Sequence, residues 1–308
     1  MKRPTLLLLL AAFASCLASC SHKREVIDRK NWFDEPLFGN IESVTKTYYI
    51  LAEKFGETVK DGIQNRSIYK FNPKGDVEER SEYNNDGSLY RKITSKYDAQ
   101  GNEVECIIYG SDDKPFSKDL FKYDARGNCV ERACYSVYGA LQSKKLFKYN
   151  MLDKCIEEAE YDSDGVQGWV GTYKYDEQGN KIEHISQNST IDMFYRTEWK
   201  YDAMGNQIEE HSYDNSTSGN KTLRKYNQFG NKIEEIAYNG DGSLYLKTLF
   251  EYDKMGNMIE RTSYSNSGAP FFKATYKYDE HGNVIEILGY QGEALKLVSI
   301  EERTIKYN

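Results

Sequence analysis

The heptapeptide Lys174-Tyr175-Asp176-Glu177-Gln178-Gly179-Asn180 decides how this chain folds, because it recurs with little change along most of the sequence. Regular copies begin at Tyr97, Tyr123, Tyr175, Tyr201, Tyr226, Tyr252 and Tyr278, each reading Tyr-Asp/Asn-x-x-Gly-Asn, and weaker copies stand at Phe71 and Tyr149. The anchors are 26 residues apart with a single spacing of 25, and a last one, Tyr307-Asn308, follows after 29. Self-similarity at a fixed period over such a span marks a repeat array, and it takes precedence over any local pattern.

Each repeat holds two turn signals and two strand-like runs. In the first turn Asp stands where a type I turn uses a side-chain acceptor, and Gly where the backbone needs positive φ. The second turn is looser, as in Asn85-Asp86-Gly87, Asp162-Ser163-Asp164-Gly165 and Asn239-Gly240-Asp241-Gly242. Before the first turn an aromatic precedes the anchor by two, as in Phe121/Tyr123, Tyr173/Tyr175, Trp199/Tyr201 and Tyr276/Tyr278, and the residue between is nearly always Lys. Period two is the strand period, so the aromatics share one face and the lysines the other. After the turn comes Val or Ile and then Glu, as in Ile182-Glu183 and Ile208-Glu209. A four-residue loop then sets Lys opposite Glu and the anchor Tyr opposite Val or Ile across the hairpin, both favourable cross-strand pairs. A three-residue loop with a bulge at Gly shifts the pairing by one.

The fold class expected is therefore all-β: tandem hairpin repeats of about 26 residues over 46–308, forming a long, twisted or coiled antiparallel meander of about eighteen to twenty strands, solenoid-like and with its aromatic side inward. A free-standing single-layer ribbon is the alternative. Residues 46–70 read as an irregular first hairpin with turn signals at Gly56 and Asp61-Gly62.

Composition agrees with thin layers. Hydrophobic residues make up 39% of the 308, mean hydropathy is -0.76, and 26 Tyr outnumber 13 Phe and 3 Trp together. Such a chain lacks the aliphatic supply for a thick core and relies on amphipathic Tyr faces and backbone pairing.

At the N-terminus Lys2 and Arg3 precede an apolar run from Leu6 to Phe13 and then Leu17-Ala18-Ser19-Cys20. A short charged region, a stretch too short to span a bilayer and a small-residue cleavage site read as a signal peptide over 1–19. The last four residues resemble the lipobox of bacterial lipoproteins, which implies lipidation of Cys20, an outer-membrane lipoprotein in the cell envelope, and attachment to the membrane through acyl chains. Residues 20–45 read as a lipidated tether and an N-terminal cap, with Trp32, Phe33, Pro36, Leu37 and Phe38 packing over the first strands. Removing residues 1–19 takes away Lys2 and Arg3 and no acid, which leaves 39 basic against 48 acidic residues, a charge of -9. That balance disfavours nucleic acid, anionic lipid or polyanionic glycans as general partners.

The unit Tyr-x-Tyr-Asp-x-x-Gly-Asn, as in Tyr173 to Asn180 and Tyr276 to Asn283, resembles the YD repeat of the RHS-repeat family of bacterial surface and toxin proteins. The resemblance covers about residues 69–308. It implies β-hairpins in a spiralling sheet that can enclose a cargo, with carbohydrate binding proposed for the family. This chain departs from the large members in favouring Asn after Gly, in lacking a toxin-like C-terminal domain, and in having about nine repeats, too few on this reading for a closed shell.

No catalytic constellation, cofactor motif or metal-ligand spacing emerges. The four histidines, His22, His184, His211 and His281, have no ligand spacing. Asp162-Ser163-Asp164-Gly165 opens like a calcium loop, but position twelve is Tyr173, so a hairpin turn is the better reading. Cys106, Cys129, Cys134 and Cys155 fall in neighbouring repeats; an exported chain permits disulfides, but Cys129 and Cys155 are two strand spacings apart, about 9.6 Å, which favours free thiols. The expected role is a non-catalytic interaction or scaffold module with a protein or glycan partner. The competing reading is a carbohydrate-binding lipoprotein in which Tyr173, Tyr175, Trp199 and Tyr201 form the ligand platform. Against that stands the plainer reading that these aromatics are the core of a Leu-poor sheet.

Overall fold

The computed structural model describes residues 26–27, 37–188, 190–215 and 219–308. The lipidation expected at Cys20, and Trp32, Phe33 and Pro36 of the expected cap, lie outside these residues. Twenty antiparallel strands, from Ile41–Lys54 to Lys296–Tyr307, follow one another in chain order. The last pairs with the first, so the sheet is a closed barrel. This corrects the open, solenoid-like meander expected from the repeats, and the expectation that about nine repeats are too few to close. A right-handed twist carries a long meander round on itself, and pairing its two ends removes the edge strands that an open sheet would leave. Leu37–Phe38 pairs separately with Val26–Ile27, and the first barrel strand begins at Ile41, within the stretch assigned to the cap. Gly62 lies inside the strand Glu57–Phe71; the turn of the first hairpin is at Phe55-Gly56 alone.

The seam reproduces the repeated turn with its two halves drawn from opposite ends of the chain. In each internal turn the N–H of the Asp or Asn after the anchor donates to the carbonyl four residues on, as from Asp176 to Asn180, and Gly179 sits at φ 83. At the seam the Asn308 N–H donates to the Asn40 carbonyl at 2.9 Å, and Gly39 sits at φ 88. Tyr307 pairs with Ile41 and Lys306 with Ser43, as Tyr175 pairs with Lys181 and Lys174 with Glu183. Tyr307-Asn308 and Gly39-Asn40 are therefore the first and second halves of a split motif.

Lys174 faces Glu183, and Lys96, Lys122, Lys200, Lys225 and Lys277 face their glutamates in the same way, as expected. The anchor Tyr faces not the expected Val or Ile that precedes the Glu but the residue before it. Tyr175 lies opposite Lys181 and Tyr201 opposite Gln207, with a register shift between the anchor and its preceding Lys. The Gly179 N–H donates to the Asp176 carbonyl, a three-residue loop with a bulge at Gly. Ile182 is then an extra residue that restores the Lys–Glu register.

The two faces of the wall differ in their surroundings. Glu234 is lowered chiefly by its pairing with Lys225, whereas for its neighbour Glu235, on the other face, burial is the leading influence. Burial likewise leads at Glu103, Cys106, Tyr173 and Arg224 on the aromatic face. Pairing leads at Lys96, Lys200 and Glu209 on the Lys–Glu face. Side chains converge on the concave side of a closed sheet, so the aromatic face lines the lumen. About eight strands make a barrel that side chains fill, and about sixteen to eighteen leave an aqueous channel; twenty leave a wide one. Among the described residues the one tight apolar cluster, Leu37, Ile41, Val44, Tyr69, Phe71 and Val77 with Ile305 and Tyr307 against it, sits at the seam.

The anchors hold neighbouring hairpins together. The hydroxyls of Tyr97, Tyr123, Tyr149, Tyr175, Tyr201, Tyr226, Tyr252 and Tyr278 each donate to a backbone carbonyl at the start of the preceding strand, at 2.6–2.8 Å. The ladder between strands Cys155–Asp162 and Gln167–Tyr175 stops at Glu157–Thr172, and below it Tyr175 satisfies the Cys155 carbonyl. Tyr175→Phe should cost about 1 kcal/mol, one net hydrogen bond. The same change at Tyr97, Tyr175 and Tyr252 together should cost about 3 kcal/mol, because well-separated sites add. Denaturant titration checks this, and a triple variant with the parental midpoint would show that the hydroxyls contribute nothing.

Candidate functional site

The turn that opens the repeat absorbs its own polar groups. In Asp202 one carboxylate oxygen accepts from the Met204 and Asn206 backbone N–H groups, and the other from the Asn206 side-chain amide at 2.9 Å. These bonds hold the carboxyl below its ordinary range. Asp98, Asp124, Asp176 and Asp253 are lowered or bonded in the same pattern. In the last turn the arrangement serves the seam: Asn283, 1% exposed, accepts from the Phe38 N–H and donates to the Phe38 carbonyl and the Tyr307 hydroxyl. The turn at Asp162-Ser163-Asp164-Gly165 is a hairpin turn closed by Gly165 N–H on the Asp162 carbonyl.

Of the four platform residues, Tyr175 and Tyr201 commit their hydroxyls to Cys155 and Lys181 carbonyls. Tyr173 stacks on His184 with ring centroids 4.5 Å apart and planes 9° apart. The Lys181 ammonium lies 4.1 Å from the Tyr173 ring centroid and 6.0 Å from that of Trp199. The fold thus brings all four onto one stretch of inner wall, half-buried, with much of their recognition surface already engaged. Burial, and then Lys181, push His184 below its ordinary value, so it is neutral near pH 7. A cleft of about 980 Å3 runs between two successive turns and is lined by Asn180, Ile182, Trp199, Tyr201 and Met204. An equivalent cleft of about 910 Å3 lies by Asn102, Phe121, Tyr123 and Arg126.

Ion pairs on the inner wall are the feature that sequence reasoning missed. Arg132 donates from Nε and Nη2 to Asp119 at 3.0 and 2.5 Å, while Asp119 is only 3% exposed. Asp119 lies opposite both Cys106 and Cys134, on the strands either side of it. Nearby, Ser95 donates to Glu103 at 2.5 Å, and burial lifts Glu103 above the usual carboxylate range. Arg224 bridges Glu210 and Glu235 on the same face. The signal was present in the alternation, since Asp119 is two residues before Phe121 and so on the aromatic face. The four cysteines among the described residues are free; burial pushes the Cys106 thiol up to about 12 and Cys134 up to about 11, so neither is a nucleophile near neutral pH. Among the described residues no three His, Cys, Asp or Glu side chains converge as a metal site.

No protein-family model matches the chain, and no curated protein matches it. Among solved structures it is similar to a porin-like protein from Bacteroides uniformis ATCC 8492, at 11% identity and TM-score 0.40, covering 86% of this chain and 98% of that one. It is also similar to the TcdB2-TccC3 structure, at 11% identity and TM-score 0.31, covering 86% of this chain and 20% of that one. A second structure, TcdB2-TccC3-TEV, matches at 13% identity and TM-score 0.26, over 75% and 15% of the two chains.

Proposed function

We propose that the chain is a lipid-anchored barrel of the cell envelope that serves as a non-catalytic interaction or scaffold module. The observation that carries this reading is that the recurring polar groups are engaged within the wall. Asp closes the turn, the Tyr hydroxyl holds the next hairpin, and Lys pairs with Glu. What is left to meet a partner is what varies between repeats, at the turn tips and along the lumen. The lipid anchor at Cys20 and the outer-membrane address rest on the N-terminal sequence, and the excess of acidic residues argues against nucleic acid as partner.

Glycan capture is the second reading, favoured by the cleft beside Trp199 and by the exposed ring of Tyr195, which lies 5.7 Å from Trp169 on the same wall. The unlipidated chain 21–308 on a glycan array separates the two. A blank array is expected; specific glycan binding that is lost in Trp199→Ala would replace the scaffold reading with the capture reading.

A further inference from the structure

We propose that the barrel turns the rim bearing the Asp-x-x-Gly-Asn turns towards a lipid bilayer, with apolar side chains at the turn tips seated in its interfacial layer. The inference rests on the anchored reading above and adds an orientation and a contact surface to it.

Three observations converge on this rim. Of the five successive turns between Asn150 and Asn257, four carry large apolar side chains at their tips: Met151, Leu152, Met204, Phe229 and Met255, between 63% and 93% exposed. The bonds of Asp and Asn fix each turn without using these side chains. Successive tips are two strands apart, about 9.6 Å, so the apolar arc runs for about 40 Å along the rim.

The chain also enters the barrel here. Asn283, in the turn Asp279–Asn283, clasps the Phe38 backbone, and an added Cβ at Gly39 would lie 3.5 Å from the His281 ring. Any segment leading back to Cys20 therefore leaves from the rim that carries the apolar tips. Because Val26–Ile27 pairs with Leu37–Phe38, five residues separate Cys20 from the strand held at this rim, and they reach at most about 20 Å.

Charge at the points of contact distinguishes the two rims. On the opposite rim the outermost positions are carboxylates: Asp86, Asp112, Asp113, Asp164, Asp192 and Asp241 are all exposed. Phe55, Tyr138 and Ile191 are exposed there too, but among carboxylates that a bilayer surface excludes. On the proposed rim the aspartates that follow the anchors are recessed to half-burial behind the tips with both oxygens bonded, and the exposed tips carry both signs, Asp153, Glu177 and Glu280 beside Lys74, Arg126 and Lys254, with Arg126 paired to Asp153. An apolar arc on a rim whose tip charges balance settles into a bilayer interface more readily than a rim whose exposed charges are mostly carboxylates.

The test uses the full lipidated protein in vesicles of phosphatidylcholine and phosphatidylglycerol with brominated acyl chains. Phe229→Trp reports on the proposed rim and Tyr138→Trp on the opposite one, each against the native Trp background. Interfacial seating at a depth of about 5–10 Å predicts bromine quenching at position 229 at least about twofold that at 138, with a blue shift at 229. Equal quenching, or stronger quenching at 138, overturns the orientation while leaving the anchor intact, provided the chain floats with the vesicles and Cys20→Ser releases it. If the wild-type chain does not stay with the vesicles, the anchored reading fails and the orientation with it. A blue shift at 229 without bromine quenching, together with doubled mass by light scattering, would assign the rim to a second copy of the chain and also overturn the proposal.

Discussion

A chain lacking Lys296–Asn308 is expected to lose the cooperatively folded barrel. That strand pairs with Ile41–Lys54 on one side and Val284–Gln291 on the other, so its removal cancels two ladders and leaves two long edges. It also strips Ile305 and Tyr307 from the apolar cluster at the seam, where Val44 is fully buried. Total stabilities of about 5–15 kcal/mol leave no reserve for a loss of this kind, and exposed edges invite edge-to-edge association. Size-exclusion chromatography and thermal unfolding should show aggregate, or a monomer without a sharp transition. A truncated monomer with the parental midpoint would mean that closure adds nothing to an otherwise self-sufficient meander. Gly39→Val gives a graded version of the same experiment. Its φ of 88 is left-handed, and an added Cβ would come 3.1 Å from the Tyr307 ring, so a loss of about 1–2 kcal/mol is expected.

The closure was written in the sequence in a form that linear reading hides. Gly39-Asn40 repeats the second half of the turn motif, and Tyr307-Asn308 the first. Each half looks like an interrupted copy, and only spatial pairing makes them one turn. The strand period, the Lys–Glu facing and the inward aromatics followed from alternation, because period two fixes a face whatever the loop does. The second bulge did not follow. A three-residue loop plus one extra residue at Ile182 occupies the same number of positions as a four-residue loop, so spacing alone cannot distinguish them, and Tyr175 ends opposite Lys181.

The candidate platform was legible as a file of rings on one wall, but not in its engagements. The hydroxyl of Tyr201 goes to the Lys181 carbonyl and the ring of Tyr173 meets His184 and Lys181; these neighbours lie across strand pairs whose offsets the bulges set. The inner ion pairs were hidden for another reason. A chain with 29% charged residues makes every Asp and Arg look like solvated surface, and only the closed wall converts Asp119 into a buried carboxylate.

That carboxylate supports the second prediction. Arg132→Ala should destabilise the barrel by about 3 kcal/mol, the lower end of the range for leaving a buried charge without its partner, because Arg132 itself is half exposed to the lumen. The loss should also depend on pH. Burial already holds the Glu103 carboxyl above its usual range while Arg132 pulls it down, so removing the guanidinium raises it further. A carboxyl raised in the folded state contributes stability that is present below its unfolded value, near 4.5, and disappears as pH rises through the folded value. The deficit of Arg132→Ala should therefore be largest at neutral pH and shrink as pH falls towards 4.5. Arg132→Lys keeps the charge but not the two-nitrogen grip on Asp119, and should recover part of the loss. Chemical denaturation of the three proteins at pH 7 and pH 4.5 checks this. A deficit equal at both pH values would assign the loss to the missing stem of Arg132 against the Phe121 ring and not to charge on the inner wall.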